Sequence, residues 1–158
     1  MTTPHWIAIS DALATQLATA LGVSVSRRYT AYYDKQDVVD GKYLVVGSGH
    51  ELQGKRGIDL LEVSVDVGYQ RALPAPTPEY EDPKNNIPWL DAESTKVQAI
   101  LDLFSAGDEL SEPGPLRHAD FAGATYLRWA HAPIYRPDML RDNSIFTSVI
   151  RFDFRIED

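Results

Sequence analysis

The chain has 158 residues, with 15 basic against 23 acidic side chains and a formal net charge of −8. One domain is the economical division at this length, and burial of roughly two-thirds of the unfolded surface gives it a core. The acid excess argues against sequence-independent binding to nucleic acid or an anionic membrane, and the absence of cysteine removes disulfides, thiol chemistry and cysteine metal sites.

The opening MTTPHWIAIS has neither the basic run nor the long apolar core of a signal peptide. No apolar run approaches the roughly 18 residues of a membrane span. The expectation is a chain made and kept in the cytosol, with no membrane partner. Thr3-Pro4 reads as a helix start, threonine capping and proline in the first turn. Trp6, Ile9, Leu13, Leu17 and Leu21 then recur at helical spacing until Gly22 stops the helix. That stripe suits packing on a sheet better than docking of a partner.

Val23 to Tyr33 changes to a period of two and predicts a strand, with Asp34 to Asp37 as its turn. Asp40-Gly41 opens a short strand, Lys42 to Val46, which Gly47-Ser48-Gly49 closes. The polar HELQGKRG, 50–57, forms an exposed tip carrying Lys55 and Arg56, and leads into the longest strand, Ile58 to Arg71. There Val63, Val65, Val67 and Tyr69 point one way, and Ser64, Asp66, Gly68 and Gln70 the other. Ala72 to Pro88 carries five prolines and no period, the mark of an arm or linker.

A second helix follows over Asp91 to Ser105, with Val97, Ile100, Leu101 and Phe104 as its stripe and Gly107 as its end. Asp108 to Gly123 is irregular, Thr125 to Ala132 is a strand, and Pro133 to Asn143 is a turn or loop. Ile145 to Ile156 closes the chain's regular structure, Ile150, Phe152, Phe154 and Ile156 alternating with Val149, Arg151, Asp153 and Arg155. The order α-β-β-β-α-β-β, without βαβ alternation, predicts a single α+β domain over 1–158. Its mostly antiparallel sheet has about five strands, with two helices on one face and a Pro-rich arm at about 72–88. Arg151, Asp153 and Arg155 on the other face point to water or a polar partner.

Motifs for chemistry are sparse. VVGSGHELQG has glycines, but a strand follows it where a phosphate loop needs a helix N-terminus, and Arg56 stands at the Ser/Thr position. His5, His50, His118 and His131 lack the spacing of helical metal ligands, and Gly47-Ser48-Gly49 lacks that of a nucleophile elbow. Asp59, Glu62, Asp66, Glu79, Glu81 and Asp82 read as a solvated acidic face, and PEYEDP lacks the ligand spacing of a calcium loop. Tyr29, Tyr32 and Tyr33 occupy both faces of the first strand, so at least one ring is exposed or meets an interface. No catalytic residue, metal ligand or cofactor site is predicted.

TKVQAILDLFSAG, followed by TYLRWAHAPIYRPDMLRDNSIFTSVIRFDFRIED, resembles the tail terminator proteins of long-tailed bacteriophages, a group related to minor tail and tail-completion proteins. The amino-terminal half is similar in its order of elements, and the ending, RDNSIF before an aromatic–charged strand, is the most suggestive part. The resemblance implies a structural, non-enzymatic virion protein. Such proteins form hexameric rings at the head-proximal end of the tail tube, stop its polymerisation and face the head connector or neck protein. DNA passes through the lumen without specific binding, and an acidic wall suits that passage because it does not hold the phosphate backbone. A six-fold ring needs two different surfaces per subunit. Arg27, Tyr32, Arg151, Asp153 and Arg155 are candidates by face and exposure, with Lys55 and Arg56 at the hairpin tip and Tyr80 in the arm. A neck protein, a prophage-derived tube component, and a ligand-binding or enzymatic α+β domain stand as alternatives.

Overall fold

The computed structural model describes residues 4–30, 35–53, 60–130 and 135–157. Thr3, Tyr32, Tyr33, Asp34, Lys55, Arg56, Asp59 and His131, all singled out above, lie outside that set, as does the centre of the predicted hairpin tip.

Helix α1, His5–Leu21, is the predicted stripe made real: Ile9, Leu13 and Leu17 are buried, and Trp6 and Leu21 pack beside them. Pro4 rather than a threonine occupies its cap position, with no side-chain cap. Gly22 ends it in the left-handed conformation at φ 67°, its N–H reaching the Ala18 carbonyl, a geometry that costs glycine nothing. Strand β1 covers only Val25–Arg28. A 3-10 turn, Lys35–Val38, replaces part of the open turn predicted at 34–37, and Val38 in it is fully buried.

Strand β2, Lys42–Gln53, runs beyond the glycines predicted to close it. Its partner β3, Leu60–Ala72, is long enough to keep pairing, so the glycines produce a register shift between Gly47 and Glu51 instead of a stop. Helix α2, Ile87–Asp102, starts earlier than its apolar stripe suggests because Asn86 caps it, accepting the Trp89 N–H at 3.2 Å, while Pro88 fits the first turn. Strand β4 is Ala124–Ala130 and strand β5 is Ile145–Glu157. Between them Pro137–Asn143, predicted as loop, forms a short helix α3. Seven residues span two turns, too few for a periodic stripe to show.

The sheet order is β1-β2-β3-β5-β4. Among the described strands, β1 and β2 pair in parallel and the other three pairings are antiparallel. The domain is therefore α+β with a mixed, largely antiparallel sheet. Val63, Val65 and Val67 pair with Phe154, Phe152 and Ile150, making one continuous apolar face. Helices α1 and α2 lie on that face. Trp6 of α1 sits over Gly47, and Phe104 after α2 packs on Phe152 with ring centroids 4.7 Å apart. Phe104 also meets Tyr126 at 4.8 Å, and Phe121 meets Phe154 at 5.0 Å, so aromatic rings fill the gap between α2 and the β5–β4 side.

The opposite face is polar, but it is not uniformly wet. Leu44, Gln70 and Thr147 are buried, and Gln70 donates to the Thr147 hydroxyl at 3.2 Å. Ser64, Asp66, Arg151, Asp153 and Arg155 remain partly or fully exposed.

Candidate functional site

On the polar face, antiparallel register brings opposite charges together. Asp66 is opposite Arg151 and Glu62 opposite Arg155. The Arg151 guanidinium reaches Asp66 at 3.5 Å, and Ser64 donates to Asp153 at 2.7 Å. Arg128 of β4 bridges Asp153 at 2.9 Å and Glu62 at 3.0 Å. The result is a charge-balanced lattice across three strands. Burial raises the Asp66 carboxyl above its ordinary value, and Arg151 opposes that shift.

Among the described residues, the predicted interface positions lie on more than one surface. Arg151, Asp153 and Arg155 share the polar face. Arg27 lies on the helix side, paired to Asp11 of α1 at 2.8 Å and stacked over Tyr29 at 5.2 Å. The strict alternation of a strand cannot show this, because β1 meets β2 in parallel, with Arg27 opposite the buried Val45. Tyr80 is half-buried in a turn of the arm, where its backbone exchanges two hydrogen bonds with Thr77, each at 3.1 Å. Tyr32, Lys55 and Arg56 fall outside the described residues. Tyr29, predicted within the first strand, lies just past the end of β1, where it is 69% exposed and meets Trp6 edge-on.

A second constellation lies at the start of α2 and is absent from the sequence reading. Glu93 is 1% exposed and accepts hydrogen bonds from the Tyr69 hydroxyl, from Arg71 at 2.6 Å and from Lys96 at 3.1 Å. Burial, followed by the hydrogen bond and charge of Glu93, pushes the Tyr69 hydroxyl far above its ordinary value. Glu93 was legible in principle. It stands four residues before Val97 and therefore on the same buried stripe, where a carboxylate demands a cation.

Arg71 continues outward from this cluster, stacking on Trp89 at 5.4 Å, into a cleft of about 580 Å³. Val39, Leu73, Pro74 and Trp89 give it apolar walls, and Lys35 stands at its edge. A neighbouring hollow shares Lys35, Leu73, Pro74 and Ala75 and adds Lys84. Among the described residues, no acidic side chain lines either hollow, although acids outnumber bases in the chain. The Pro-rich stretch is thus no free linker: Leu73 is tied by its N–H to the Ser144 carbonyl at 3.0 Å, and its prolines wall the cleft.

Among the described residues, no group of three or more His, Asp or Glu side chains is placed to hold a metal ion, and no helix is long and apolar enough to cross a membrane. No protein-family model matches the chain, and no curated protein matches it either.

Proposed function

We propose that the protein is a structural component of a long-tailed phage virion, a tail terminator that closes the head-proximal end of the tail tube as a hexameric ring. The observation that carries this reading is the one-sided sheet. Helices α1 and α2 cover one face, and the other presents a charge-balanced lattice of Glu62, Asp66 and Asp153 with Arg128, Arg151 and Arg155. Such a surface can meet a polar partner without a large desolvation cost, because its charges arrive already paired. The acidic balance suits a wall along which DNA slides, and the described part supplies two unlike surfaces for head-to-tail contacts. The partners on this reading are further copies of the chain, the tail tube protein and a connector or neck protein. The protein then acts without catalysis or a cofactor.

The test is electron microscopy of the purified protein with and without tail tubes, classified by symmetry. Six-fold rings at one tube end are expected. Particles that ignore the tubes remove the terminator reading. A ligand-binding domain is the second reading, favoured by the cleft at Arg71 and Trp89. Calorimetry with small carboxylates tests it.

A further inference from the structure

We infer that the cleft beside Arg71 is a socket for a second copy of this chain, and that the knob entering it is the loop carrying Leu110. The inference rests on the ring reading and names its contact.

Leu110 is 98% exposed, the most exposed large apolar side chain described. It sits on a loop closed by hydrogen bonds. One Asp108 carboxylate oxygen accepts the Leu110 N–H at 2.7 Å and the Ser111 N–H at 2.8 Å. The Asp108 N–H closes on the Ser111 carbonyl at 3.0 Å, and the Gly114 N–H fastens the loop's base to Ser105 at 2.9 Å. An exposed leucine gains nothing for the monomer, whereas a loop already closed by its own hydrogen bonds has less entropy to lose on docking.

The loop and the cleft are complementary. Exposed Asp108, Glu109 and Glu112 surround the leucine, while the hollows opposite in character offer Lys35, Arg71 and Lys84 around Val39, Leu73 and Trp89. Val39, 61% exposed, is an apolar wall awaiting cover. Position excludes self-docking. Trp89 lies in the first turn of α2 and the loop follows its last, so the helix, about 24 Å long at 1.5 Å per residue, separates them. A knob at one end and a socket at the other make a heterologous contact, the kind from which a ring is built when the rotation between copies closes. Acidic knob and basic socket also guide encounter, and salt weakens that guidance.

The native chain has no cysteine, which permits a direct test. Full-length Val39→Cys and Leu110→Cys proteins are mixed under mild oxidation and run without reductant, each variant alone serving as control. A heterodimer band exceeding both homodimer bands is expected, and a ladder from the double variant. Reversing both rim lysines, Lys35→Glu with Lys84→Glu, is expected to weaken association about tenfold, with Glu109→Lys plus Glu112→Lys restoring it in the mixture. Circular dichroism checks that each variant folds. Rings by microscopy without the 39–110 cross-link overturn this contact and leave the ring reading standing. Cross-linked rings that ignore tail tubes keep the contact and remove the tail function. Monomers without a cross-link overturn both, and a small carboxylate found in the cleft overturns the socket.

Discussion

Glu93 shows how much one side chain can commit a fold to. Its carboxylate is buried against Tyr69, Arg71 and Lys96, so Glu93→Gln leaves the two cations with no counter-charge in a half-buried place. We expect a loss of about 3 kcal/mol in urea unfolding, the lower end for a broken buried pair because Arg71 and Lys96 are partly exposed. Asp66 gives a pH signature. Its folded carboxyl is raised, so the unfolded chain ionises first as pH rises from about 4. Asp66's contribution to stability is greatest below that ordinary value and falls until the folded carboxyl has ionised too. Across that range the wild-type unfolding midpoint should lose ground, as pH rises, relative to that of Asp66→Asn. An unchanged slope would remove Asp66 as the source.

At the level of elements, the packing of α2's stripe depends on Phe104, whose ring meets Phe121, Tyr126 and Phe152. Phe104→Ala should cost about 3–5 kcal/mol by chemical denaturation, a cavity among aromatic rings being hard to close. Gly47 works by absence. A methyl group there would overlap the Trp6 ring and the Ser10 hydroxyl, so Gly47→Ala should lift α1 from β2 and shift Trp6 fluorescence. These elements also show what sequence can carry. One-sided burial writes a period into the chain, so Ile9, Leu13 and Leu17, and the matched faces of β3 and β5, were legible at once. Pairing partners write none. Nothing local in Val25–Arg28 says that β1 runs parallel to β2, or that Arg27 turns to Asp11 of α1 on the helix side. The continuation of β2 through two glycines came from β3, not from its own residues, and Glu93 and the cleft required contacts between distant segments.

For the whole molecule, the polar lattice ties stability to assembly. Replacing both Arg151 and Arg155 with glutamate sets like charges opposite Asp66 and Glu62. The double variant should remain a folded monomer, less stable and with the Asp66 carboxyl raised further, and should fail to assemble. Circular dichroism and light scattering read the two effects separately. Normal assembly in that variant would exclude the lattice from the interface.

The place of β5, between β3 and β4, has a consequence for the nascent chain. β3 is complete at Ala72, yet its second neighbour is not synthesised until residues 145–157 emerge. At roughly 5 to 20 residues per second, translation leaves that edge unpaired for on the order of ten seconds. During the interval the β2–β3 hairpin offers its apolar face and an open ladder to anything nearby, including the same hairpin on an adjacent ribosome. Late, long-range pairing also makes this a slow topology to close. A message interrupted before codon 145 would thus yield an aggregating fragment, not a smaller working domain, and a holdase at the ribosome exit should raise the yield of the intact protein.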